Sequence, residues 1–213
     1  MRWMGYLVRS SIAGVVWMLP ACEREGNTGR NQQSPGPGAE LPKLTSGETL
    51  RARATVTGSG IKGTVTFVEL KGNLPVPGVE IEARITGQVS DLTPGAHGFH
   101  IHENARGGCV PPYTSAGGHL DPGPSGNPDP DANHPFHLGD IPNLVVDEKG
   151  VGAVEATTSR ITLSPGPLSV LDADGSVVIV HAKPDQGIAG PPKSGVSGGP
   201  RIACGVIELT PGE

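Results

Sequence analysis

The stretch Val79-Glu-Ile-Glu-Ala-Arg-Ile85 decides the fold. Val79, Ile81, Ala83 and Ile85 alternate with Glu80, Glu82 and Arg84. A period of two with one apolar and one polar face marks a half-buried antiparallel strand. The same alternation runs through Leu50, Ala52, Ala54 and Val56, and after the turn Gly58-Ser59-Gly60 a second strand is expected over Thr64 to Leu70. Further strands are expected over Ala96–Glu103, Asn143–Val146, Gly152–Thr157, Ser176–His181 and Ile202–Leu209. No segment carries a convincing helical period. Glycine (33) and proline (22) are abundant and the apolar residues lean towards Val and Ile, a mix that favours short strands and turns. Roughly eight strands joined by turns predict an all-β chain, an antiparallel Greek-key barrel or sandwich.

The beginning of the chain reads differently. Arg2 and Arg9 precede the apolar run from Ser11 to Cys22. That arrangement is an export signal, too short for a comfortable membrane span. Leu19-Pro20-Ala21-Cys22 resembles a bacterial lipobox, although Pro20 is not the usual residue at its position. On that reading residues 1–21 are removed and Cys22 becomes a lipidated N-terminus, a membrane anchor for an exported, periplasmic or cell-envelope protein. The alternative is an ordinary signal peptide with an incidental cysteine. Residues 22–47 are rich in Gly, Pro and polar groups and lack periodicity, as a flexible tether does. The domain proper is expected over residues 48–213.

Charge bounds the partners, and cysteine usage fits export. Acidic residues (21) outnumber basic ones (16), which argues against a general nucleic-acid-binding role. Loss of residues 1–21 removes two arginines and no acid, moving the formal charge from −5 to −7, and it also removes both tryptophans. Three cysteines is an odd number in an exported protein. If Cys22 carries lipid, Cys109 and Cys204 remain to pair in an oxidising compartment.

Ala96-His-Gly-Phe-His-Ile-His-Glu103 adds chemistry to the strand pattern. Positions i and i+2 of a strand point the same way, so His100 and His102 can meet one metal ion, and such a nitrogen pair suits copper or zinc. His97 has the opposite parity and is expected to face away. All seven histidines lie between residues 97 and 181. His119, His134 and His137 fall in the long stretch Asn104–Ile141, which has almost no strand character, and His181 ends the run Val177-Val-Ile-Val180. A loop that long without structure of its own is uncommon unless it is functional, ligated or disordered. His134-Pro-Phe-His137 followed by Gly139-Asp140 offers two nitrogens and one oxygen, a zinc set with one place left for His119.

Five stretches, in this order, resemble the copper/zinc superoxide dismutases: HGFHIHE (His97–Glu103), GGH (Gly117–His119), HLGD (His137–Asp140), HAKPD (His181–Asp185) and RIACGVI (Arg201–Ile207). The resemblance spans about Thr49 to Leu209. It implies copper on His100, His102, His119 and His181, and zinc on His119, His137 and Asp140, with His119 bridging both metals. It also implies that Asp185 links a copper histidine to a zinc histidine, and that Arg201 draws superoxide towards copper. Since a local cationic field can focus an anion despite net negative charge, Lys183 and Lys193 are candidate helpers. In the implied cycle His119 takes up a proton when its bond to copper breaks and passes it to the departing peroxide, so Arg201 and His119 are the catalytic residues.

One departure from the family pattern stands out. The family keeps its middle zinc histidine only several residues after the bridging one, yet Leu120 to Asp131 contains no histidine, and Asn127 stands near the expected place. His134 is the candidate replacement, and its position three residues before His137 demands a different loop path. The alternatives are a three-ligand zinc site or a domain that works with copper alone. Two rival functions come from other classes: a copper-binding or copper-delivery domain without turnover, and a mere interaction module on a lipid tether. Exported bacterial relatives vary in how they pair, so a homodimer is among the expected forms.

Overall fold

The computed structural model describes residues 48–72, 74, 79–123 and 126–210. The expected leader, Cys22 and the expected tether lie outside the described residues. Eight strands succeed one another in chain order: β1 (Glu48–Gly58), β2 (Lys62–Lys71), β3 (Ile81–Ser90), β4 (Gly95–His102), β5 (Asp140–Val146), β6 (Gly152–Thr158), β7 (Val177–His181) and β8 (Arg201–Leu209). They close into one barrel in the spatial order β1-β2-β3-β6-β5-β4-β7-β8. Every neighbouring pair is antiparallel, β8 with β1 included. The steps from β3 to β6 and from β4 to β7 are Greek-key crossings, and closure leaves the sheet without an edge.

Alternation explains which residues fill the barrel. Ala52, Ala54 and Val56 of β1, Val65 and Phe67 of β2, Ala83 and Ile85 of β3 and Phe99 and Ile101 of β4 belong to one buried apolar cluster. His100 and His102 therefore stand on the outer face of β4, where the long loops cover them. Val178 and Val180 of β7 join the barrel core, whereas Val177 and Ile179 pack outside the wall with Tyr113, Ala116 and Cys204. With both faces covered, all five residues of β7 are buried, which is why its sequence is a continuous apolar run and not an alternation.

β5 is longer than the sequence suggests. The apolar pattern predicts a strand from Asn143 and a loop reaching Ile141, but pairing starts at Asp140 opposite His100. Pro142 hides this start, because proline cannot donate to a ladder. It is tolerated here because β6 pairs with β5 only at Val145 and Val146. The loop between His102 and Asp140 contains one short 3-10 turn, Thr114–Ala116, among its described residues. It is laced to β4 at its far end, where Leu120 N donates to Ile101 O and Ile101 N to Gly139 O, each at 2.9 Å.

Two covalent or ionic fastenings hold loops to the wall. The Cys109–Cys204 disulfide joins positions 95 apart in sequence, tying the long loop to β8. On the chain-entropy argument, closing a loop of that size stabilises by about 4–5 kcal/mol. Cys109→Ser in the oxidised protein is therefore expected to lower the melting temperature sharply, as read by calorimetry. Glu69 on β2 is fully buried and accepts from Leu163 N and Ser164 N, both at 2.7 Å, and from Thr49 Oγ1 at 3.0 Å. Burial alone would push this carboxyl up, but these donors outweigh it and hold it below its ordinary value. A depressed carboxyl stabilises the fold above the unfolded value, near pH 4.5, and that stability fades as pH falls through the lower folded value. Glu69→Gln is expected to cost about 1–3 kcal/mol at neutral pH. The gap between mutant and wild type in denaturant titrations should narrow below about pH 4.

Candidate metal centre

Strand geometry brings the first ligands together. His100 and His102 rise from the outer face of β4, and His181 ends β7 beside them, with Phe99 pairing with Val180. His119 arrives from the loop through an antiparallel bridge to His102. The ligand atoms of His100, His102, His119 and His181 all lie within 4.8 Å of one another, and all four residues are buried.

The hydrogen bonds around these rings define their tautomers. His102 Nδ1 faces Gly117 O at 3.2 Å, and His181 Nδ1 faces Gly199 O at 2.9 Å. A carbonyl only accepts, so both Nδ1 atoms carry the proton and each Nε2 is left with a lone pair. His100 Nε2 is held by Asp185 Oδ2 at 3.0 Å, which frees His100 Nδ1 in the same way. The inward atoms His100 Nδ1, His102 Nε2, His119 Nε2 and His181 Nε2 are buried without a hydrogen-bond partner. Four orphaned lone pairs converging in a buried space are costly unless a cation satisfies them. Burial, with the neighbouring imidazoles, pushes His102 and His181 well below the ordinary histidine range, and burial holds His119 down at about 4. These three are held in the neutral form that a metal ligand needs.

A second group shares His119. His119, His134, His137 and Asp140 are buried with their ligand atoms within 4.8 Å of one another. Asp140 is the hub: its Oδ1 lies 2.7 Å from His119 Nδ1, and its Oδ2 lies 3.2 Å from His134 Nδ1 and 3.0 Å from His137 Nδ1. Three imidazoles and one carboxylate converging in a buried space are a donor set that fits zinc. The electrostatic field calls for a cation as well. Burial would lower His134, yet Asp140 and Asp185 outweigh it and hold its imidazole up at about 9. Burial would raise Asp140, but the three histidines hold it far below the usual carboxylate range. Asp185 joins the two groups, its Oδ2 on His100 and its Oδ1 2.6 Å from His134 Nε2.

Residues 61–207, more than half of the chain, match the family model described as copper/zinc superoxide dismutase. The chain belongs to the copper/zinc superoxide dismutase family. A Cu-Zn superoxide dismutase of Deinococcus radiodurans is 38% identical over 170 residues, covering 75% of this chain and 84% of that protein. A second relative, Cu-Zn superoxide dismutase 2 of Brassica juncea, is 39% identical over 154 residues, covering 70% and 91%. The solved structure of the clock protein EA4 is 27% identical with a TM-score of 0.56, covering 80% of this chain and 100% of that one.

As a superoxide dismutase relative, the chain departs from the family pattern at a loop that the structure makes readable. Asn127 is exposed, its main-chain N–H donating to Asp121 Oδ2 and its side-chain oxygen accepting from Asp129 N. His134, not Asn127, comes into the group around Asp140. Arg160, which no motif singles out, gathers the end of this loop by donating to His137 O at 2.9 Å and Asp140 O at 2.6 Å. Asn143 carries no local signal either. It grips the backbone of Asp185 from both sides, donating to its carbonyl and accepting from its amide. His97 stays out of both groups, as its parity predicts, but it is not idle, because its Nδ1 lies 2.7 Å from His181 O.

Arg201 sits at the rim of the first group. Its Nη1 donates to Tyr113 O at 2.7 Å and its Nη2 to Gly117 O at 2.5 Å. Gly117 thus serves Arg201 and His102 with one carbonyl. Only glycine suits this position, since its φ is +71° and a Cβ would lie 2.6 Å from Glu103 Oε1. The disulfide stands in the same loop, so it helps to hold the carbonyls that hold Arg201. Lys183 and Lys193 are exposed on the loop between β7 and β8.

Proposed function

We propose that this protein dismutes superoxide in the cell envelope, with copper among His100, His102, His119 and His181 and zinc among His119, His134, His137 and Asp140. The observation that carries the reading is His119, whose Nε2 turns to three histidines and whose Nδ1 turns to Asp140. Copper in that position supplies a one-electron acceptor and donor, which zinc does not. Two superoxide anions and two protons yield one dioxygen and one hydrogen peroxide.

The chain's own residues do the rest. His119 holds and releases a proton at Nε2 for the departing peroxide, while Asp140 keeps its other nitrogen in place. Asp185 keeps His100 and His134 at fixed angles. Arg201 spends two donors on carbonyls and keeps the remaining N–H groups of its fork for an anion. Its charge, with Lys183 and Lys193, opposes the net negative charge of the chain where the substrate enters. The export signal and the lipobox-like Cys22 support an envelope lipoprotein.

The test is metal content together with turnover. Purified full-length protein is expected to carry stoichiometric copper and zinc and to remove superoxide catalytically. A copper-delivery domain would hold copper without turnover, and an interaction module would hold none. Cys22→Ser is expected to move the protein from the membrane fraction to the soluble one, and retention in the membrane would rule out the lipid anchor.

A further inference from the structure

The two loops covering the outer wall meet at a carboxylate that the reaction itself does not use. We infer that Asp131 is a positioning residue: from the loop that carries His134 it clamps residues 195–197, and through Gly199 it fixes the imidazole of His181. The inference rests on the proposed role of His181 as a copper ligand.

Asp131 is 3% exposed. Its Oδ2 accepts from Gly195 N at 2.8 Å, and its Oδ1 accepts from Ser197 N at 3.1 Å and Ser197 Oγ at 2.8 Å. Its main-chain carbonyl accepts from Gly190 N at 2.7 Å. All these donors come from the loop between β7 and β8, distant in sequence from Asp131. Burial alone would push this carboxyl up, yet the donors hold it below its ordinary value, so it is ionised and each contact is charge-assisted.

That loop needs fastening. Residues 187–199 include five glycines, at 187, 190, 195, 198 and 199, and glycine loses more freedom on ordering than any other residue. Beyond Ser197 the chain lies as a strip along the end of β7. Lys183 N donates to Gly198 O at 3.1 Å, and Ala182 N donates to Pro200 O at 2.7 Å. Gly198 has φ +109°, and a Cβ there would lie 2.7 Å from His181 Cβ. The next carbonyl, Gly199 O, takes the proton of His181 Nδ1. The strip is therefore anchored at one end by β8 and at the other by Asp131, and the acceptor that sets the His181 tautomer lies between.

This clamp runs parallel to the link from His134 through Asp185 to His100, and it needs no ring nitrogen. Both start within one turn of the same loop, three residues apart. The unusual path that delivers His134 also delivers Asp131.

The experiment compares Asp131→Asn and Ser197→Ala with wild type, using full-length protein as purified. An amide in place of the carboxylate turns an NH2 group towards one of the donors. Amide exchange at Gly195 and Ser197 is expected to accelerate about tenfold or more in Asp131→Asn. The Cu(II) electron paramagnetic resonance spectrum should change while copper content stays full, and turnover should fall several-fold. Ser197→Ala removes one hydroxyl only and is expected to shift exchange at Gly195 and the copper spectrum in the same direction, by less. Unchanged exchange, or an unchanged copper spectrum alongside a lowered melting temperature, would overturn the inference and leave Asp131 a plain stabilising residue. If Asp131→Asn does not fold, Ser197→Ala decides by the same two readouts. The exchange measurement does not depend on copper, so failure of the clamp and failure of the dismutase reading give different results.

Discussion

Replacing His134 by alanine is expected to leave a protein that keeps its copper and loses its zinc. Asp140, His119 and His137 remain, but three ligands and an open place hold zinc about a hundredfold or more weakly than four. The effect should also reach the other metal, because His134 Nε2 and His100 Nε2 are held by the two oxygens of one carboxylate, Asp185. Without His134, Asp185 Oδ1 keeps only the Gly187 N–H at 2.7 Å, so its hold on His100 should shift and the copper spectrum should change along with the zinc content. Metal analysis against a graded chelator is the measurement. Full zinc occupancy in His134→Ala would remove this residue from the site and turn attention back to the loop around Asn127.

The second large effect is expected at Arg201. Arg201→Ala should lower the dismutation rate about tenfold to a hundredfold at low ionic strength while leaving copper bound. The rate should also lose most of its dependence on salt, since screening can only weaken a field that is present. Burial pushes the Arg201 guanidinium down and Glu103 pushes it up, but a guanidinium stays charged throughout the working range. Arg201→Lys keeps the charge without the planar fork that spans Tyr113 O and Gly117 O, so it should fall between wild type and alanine. A rate for Arg201→Ala equal to wild type at low ionic strength would end the steering role.

The barrel is largely legible from the chain because its signal is local. A strand with one wet face writes its period into consecutive residues, as at Val79–Ile85, and the paired histidines of β4 share that period. Local signals fail where one residue masks another, as Pro142 masks the start of β5. They also fail where order comes from distant partners. Nothing near Asn143 announces a grip on Asp185, which is 42 positions away, and nothing near Arg160 announces the carbonyls of His137 and Asp140. His134 can be reached by elimination, but its path cannot, since the loop is shaped by hydrogen bonds such as Asp131 to Ser197 that leave no periodic trace.

Tyr113 gives the domain a built-in optical probe. Beyond residue 21 the sequence contains no tryptophan and only this tyrosine, and its ring is packed against the wall beside Cys204 and the loop's own Cys109. Tyrosine emission from residues 22–213 thus comes from one ring, in the segment that carries both the disulfide and a carbonyl gripping Arg201. A neighbouring disulfide quenches tyrosine light, so reduction or loosening of that loop should brighten it. Movement of the loop that holds Arg201 could then be followed in real time without attaching a dye.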